Sequence, residues 1–125
     1  MTLGDTIAKK EKAFHLAIES AILVPRTDKS QNHVSIPDFK RRIRETDTFL
    51  ARLYGGFTKY KVGGGYYSKN LNKVIYEDIV RVVAFTDKQT YDAKYKELMV
   101  WIHAKKTQWG QEAIGYEIEG DLLYI

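Results

Sequence analysis

Apolar and polar positions alternate through Phe14, Leu16, Ile18, Ser20, Ile22 and Val24, a period of two that predicts a strand. The same stretch also sets Phe14, Ala17, Ile18, Ala21 and Ile22 at helical spacing, and its alanines favour a helix. Because Ile22-Leu23-Val24 runs into Pro25 and then a polar loop, a strand is expected. Ahead of it, Met1 to Glu11 predicts a short helix capped by Thr2 or Asp5, with Ile7 and Ala8 on a weak apolar side. Ser35-Ile36-Pro37-Asp38 reads as a helix start, with Ser35 as N-cap and Asp38 returning a capping-box bond. Phe39, Ile43, Thr46, Phe49, Leu50 and Leu53 then form one stripe, and Gly55-Gly56 ends the helix.

Phe57 to Val62 predicts a strand that Gly63-Gly64-Gly65 interrupts and Tyr66-Tyr67 resumes. Ser68 to Lys73 is a polar turn, and Ile75 to Phe85 has the β-branched, two-sided apolar character of a central strand. Thr86-Asp87 starts a second long helix, Lys88 to about Thr107, with Tyr91, Tyr95, Leu98, Met99 and Ile102 as its expected buried stripe. Ala113 to Ile118 predicts a strand, and Glu119-Gly120-Asp121 turns it into a short partner, Leu122 to Ile125. The order β-α-β-β-α-β predicts an α+β, ferredoxin-like split βαβ fold: an antiparallel sheet with two helices on one face. Residues 13–125 form that domain, and 1–12 are a helical appendage. The second sheet face is expected to stay open to a ligand or partner.

With 125 residues the chain suits one domain. It has no cysteine, which excludes disulfides, thiolate metal sites and cysteine nucleophiles. No apolar run is long enough for a membrane helix, and the charged first twelve residues do not resemble a secretory leader. A cytoplasmic protein is expected. The net charge of +4 is mildly basic, compatible with simple solubility or with a polyanionic partner.

Lys59, Lys61, Tyr66 and Tyr67 interleave aromatics with bases, a pattern suited to single-stranded nucleic acid and equally to a lysine-guarded edge hairpin. Lys40, Arg41, Arg44 and Arg52 share a basic helix face, which Glu45 and Asp47 weaken. Trp101 and Val100 lie off the predicted stripe, as a partner contact or a half-buried border. Arg81 stands inside an apolar strand and requires Glu77, Glu117 or a bound anion. Glu112 has Lys59 or Arg81 as possible partners, and Gln111 has backbone groups. The glycine triplet lacks the lysine and following helix of a phosphate loop. His15, His33 and His103 are scattered without metal-ligand spacing, and there is no nucleophile elbow or carboxylate pair. No catalytic residue, metal or cofactor is expected.

Leu53-Tyr54-Gly55-Gly56-Phe57-Thr58 and Trp109-Gly110-Gln111-Glu112-Ala113-Ile114 resemble, over Ala17 to Ile125, a loose group of small uncharacterised bacterial and phage proteins. These share an aromatic-Gly-Gly-aromatic-Thr turn and a late GQE segment. The resemblance implies a ferredoxin-like fold and a phage or mobile-element origin, and it brings no reaction with it. Three functions follow. The foremost is a non-enzymatic interaction module, a homodimer through the open face or an edge strand, or a binder that blocks a host protein, including a defence system. The second is nucleic-acid or nucleotide binding. The third is a small-molecule enzyme using Arg81, Glu112 and a tyrosine in a sheet-face cleft.

Overall fold

Thr2 opens the first helix, α1 (Leu3–Glu11), by accepting a bond from Asp5 N while the Asp5 carboxylate accepts one from Thr2 N. This is a complete capping box. The computed structural model describes residues 2–125, so Met1 lies outside the described part of the expected appendage. No residue of α1 is buried.

The ambiguous segment is a strand, β1 (Ile18–Pro25), but it starts four residues later than the alternation suggested. Its first residue pairs with Thr86, beyond which the neighbouring strand gives way to a helix cap. Phe14 and Leu16 therefore have no strand partner, and Phe14 is fully exposed.

Ser35 caps α2 (Ile36–Tyr54) by accepting from Asp38 N at 3.2 Å. The Asp38 carboxylate turns to Arg41 at 2.7 Å in place of the predicted capping-box bond. Gly55, at φ +92°, ends the helix in the left-handed conformation that glycine adopts without a Cβ clash.

β2 (Thr58–Ser68) and β3 (Lys73–Thr86) form one hairpin with unbroken register from Thr58–Val83 to Ser68–Lys73. The glycine triplet does not interrupt the strand. The ladder with β3 stays in regular register through the triplet, so there is no bulge.

Asp87 caps α3 (Lys88–Gln108) by accepting from Thr90 N at 2.7 Å. That bond holds the Asp87 carboxyl below the usual aspartate range. Tyr95, expected in the buried stripe, is half-exposed because the helix rests on the sheet chiefly through Leu98 and Ile102. The strand expected over Ala113 to Ile118 is shorter, β4 (Gly115–Ile118), and it returns as β5 (Asp121–Tyr124).

The sheet order is β2-β3-β1-β4-β5, with every neighbouring pair antiparallel. Its first four strands are the split βαβ arrangement, with β5 added at one edge. Leu50 and Leu53 of α2 and Leu98 and Ile102 of α3 pack with Ile22, Val24, Val80, Val82, Ala84 and Tyr116 of the sheet. Burial of each large aliphatic side chain there contributes roughly 1.5–3 kcal/mol. Both long helices thus lie on one face, as predicted. Among the described residues, no helix is long and apolar enough to cross a membrane.

Candidate functional site

β1 stops at Pro25 opposite Ile79, yet β2 and β3 continue as a two-stranded arm to Ser68 and Lys73. Strand alternation puts Gly64, Tyr66, Glu77 and Ile79 on the face away from the helices. The arm forms one wall of a cleft of about 440 Å³. Leu23 and Pro25 line it from β1, and Gln111, Gly115 and Tyr124 come from the opposite side. Glu77 is its one carboxylate and makes no ion pair among the described residues.

The glycines give this wall its low relief. Gly64 has its bare α-carbon on this face, where a Cβ would lie 3.2 Å from Ile79 Cδ1, and Gly65, which faces the helix side, lines the cleft with its main chain. Backbone, not side chain, faces the cleft there.

A buried arginine holds the opposite rim. Arg42 Nη1 donates to the carbonyls of Pro25 and Thr27, each at 2.9 Å, and Nη2 donates to Trp109 at 3.3 Å. Its guanidinium lies 5.6 Å from the Trp109 ring, and burial lowers its pKa from the ordinary value. Gln111 Nε2 donates to the Thr27 and Trp109 carbonyls at 2.7 and 2.9 Å. The loop after β1 and the segment before β4 are thereby fastened to each other beside the cleft. Gly110, at φ +64°, passes against Lys29 at that junction. The Tyr66 hydroxyl meets Gln31 at 2.8 Å, so the arm is tied to the same loop.

Arg81 stands elsewhere on this face. It bonds Glu117 and, at 2.9 Å, Glu19, so three side chains from three strands meet around Ala21. The hydrogen bond to Glu117 raises the Arg81 pKa, against the opposing effect of desolvation. Ala21 and Val83 are buried on this face, which is therefore covered at one end and concave at the other.

The other expected residues do not gather into one site. Lys59 lies on the helix side and pairs with Asp47 of α2 at 2.8 Å. Lys61 and Tyr67 share that side, whereas Tyr66 projects to the opposite one. The Tyr67 hydroxyl bonds Asn72 within the arm turn. Trp101 stacks on Phe49 at 4.4 Å with planes 4° apart, closing the seam between α2 and α3. Glu112 is exposed and meets neither Lys59 nor Arg81, which are both engaged by other acids. On the basic helix face Arg41 pairs with Asp38 and Glu45, while Lys40, Arg44 and Arg52 have no ion pair among the described residues. No cluster of three metal-ligating side chains occurs among the described residues.

Sequence reasoning placed Glu77 only as a partner for Arg81 and gave Leu23 and Tyr124 no role. One available signal was an acid sharing a strand face with Ile75 and Ile79.

No protein-family model and no curated protein matches the chain. Two solved structures do. A phage SAM lyase in complex with S-methyl-5'-thioadenosine has 15% sequence identity and a TM-score of 0.57, with 86% of this chain and 88% of that chain covered. A phage SAM lyase in the apo state has 16% identity and a TM-score of 0.57, with 86% and 87% covered. At this identity the likeness is one of fold.

Proposed function

We propose that the open-face cleft binds an adenosine-bearing thioether or sulfonium and that the chain cleaves S-adenosylmethionine there. The observation that carries this reading is the cleft itself, which combines a bare glycine wall, apolar floor, tyrosines and one carboxylate with no ion pair among the described residues. Its volume of about 440 Å³ suits a small ligand. The neighbour's S-methyl-5'-thioadenosine supplies the ligand class, and the phage neighbours support a phage or mobile-element origin. This reading replaces the non-enzymatic interaction module. It also favours a nucleoside over a nucleic acid, because Lys59 and Lys61 face away from Tyr66.

A sulfonium is already a leaving group. When its bond to the aminobutyryl chain breaks, the electron pair stays on sulfur and a neutral thioether departs, while the substrate's own carboxylate oxygen bonds the carbon that sulfur leaves and closes it into a lactone. The protein's tasks are to fold the substrate, displace water and balance the cation. Glu77 supplies that balance, and Tyr66 and Tyr124 offer ring faces to the base. The positive charge fades as the bond breaks, so Glu77 serves substrate binding more than the chemical step.

Calorimetric titration tests this. Glu77→Gln should weaken S-adenosylmethionine binding about tenfold, or ~1.4 kcal/mol, and leave S-methyl-5'-thioadenosine within about twofold. Chromatography should show conversion of the first compound to the second. Absence of binding of either nucleoside at millimolar concentration would overturn the reading.

A further inference from the structure

β2 is the outermost strand of the sheet, 11 residues long, and its outer edge pairs with nothing among the described residues. Such an edge is a template for another strand. Natural edges are blunted by proline, bulges, short length or lysines, and β2 has none of the first three. Of its two lysines, Lys59 is held by Asp47 at 2.8 Å, which leaves Lys61 as the one edge lysine without an ion pair among the described residues. Its middle is Gly63-Gly64-Gly65, where no side chain hinders a close approach of backbone to backbone.

We infer that β2 pairs antiparallel with β2 of a second copy, about a two-fold axis at Gly63, to give a continuous ten-stranded sheet. Gly63 is the midpoint of Thr58–Ser68, so this register alone uses the whole strand. It sets Tyr60 opposite the partner's Tyr66, an aromatic cross-strand pair on the open face. Lys59 faces Tyr67 and Lys61 faces Gly65, so no lysine opposes a lysine. Moving the axis to Lys61 would set that residue against its own copy. The interface is self-complementary, as a two-fold dimer requires. It gains roughly ten main-chain hydrogen bonds, two for every second residue pair. The dimer stands independently of the ligand reading, although it brings the partner's Tyr60 beside Tyr66 at the margin of the cleft.

Gly63 provides a clean test, because a Cβ there meets nothing within 4 Å in the single chain. Sedimentation equilibrium of the full chain should give twice the monomer mass. Gly63→Lys and Gly63→Glu should each raise the dimer dissociation constant at least tenfold by opposing like charges, while an equimolar mixture of the two restores the dimer. Hydrogen exchange of the unsubstituted chain should slow across residues 58–68 as concentration rises. A monomer, a trimer, dimeric single variants, a mixture that stays monomeric, or concentration-independent exchange would each overturn the inference.

Discussion

The Tyr54 hydroxyl is buried without a hydrogen-bond partner among the described residues. Its ring lies 6.5 Å from that of Tyr91, whose own hydroxyl bonds Tyr116 at 2.7 Å. Burial pushes the Tyr54 and Tyr116 phenols up from the ordinary tyrosine value. Both remain protonated in the fold at a pH where the unfolded chain ionises them. Their contribution to stability is therefore full below about pH 10 and falls as pH rises above it. Tyr54→Phe removes the stranded oxygen and keeps the ring. We expect a gain of about 1 kcal/mol at pH 8 and a smaller alkaline loss, both read by urea denaturation at pH 8 and about pH 10.5. Lower stability at pH 8 would show that the hydroxyl has a partner. In the sequence Tyr54 marked only the end of a helix, because nothing in a local pattern says where a ring's oxygen will point.

Among the elements, the helices were legible because their determinants are local. Ser35 and Asp87 cap them, Gly55 stops α2, and the apolar spacing names the buried side. The β2–β3 arm was legible in its strands and its polar turn but not in its continuity. A glycine triplet weakens a strand by propensity, yet here it lies in an uninterrupted ladder. Contact explains one member of the triplet: a Cβ on Gly65 would crowd the Ile75 carbonyl oxygen. Gly65→Ala should cost about 1–3 kcal/mol, seen as a lower denaturant midpoint. An unchanged midpoint would mean that the arm shifts freely. Arg81 was partly legible. Its strand demanded a counter-charge, and Glu117 was among those expected, but the second acid, Glu19, lies 62 positions away in sequence. Trp101 was ambiguous for a similar reason, since its stacking partner Phe49 belongs to the other helix.

Taken together, residues 13–125 carry the sheet, both long helices and the cleft, and α1 adds no buried residue. Its contact with the rest includes His15 Nδ1 against the Asp5 carboxylate at 2.7 Å, both partly exposed. Contacts between exposed charged groups contribute little, because water and salt screen them. A chain lacking residues 1–12 should keep one cooperative thermal transition, within about 5 °C of the full chain by calorimetry. A loss of about 10 °C or more would show that α1 belongs to the domain. Period, caps and turn residues determined which elements form and in what order, since each of those signals spans only a few neighbouring positions. The order also narrowed the topology, because two β-α-β units with right-handed crossovers interleave in few ways. The cleft was decided only in three dimensions. It exists because β1 ends before β2 and β3 do, and because Arg42 draws two distant carbonyl-bearing segments together beside it. Relative strand length and a buried side chain's choice of partners depend on the packing of the entire chain, so they leave no short-range trace.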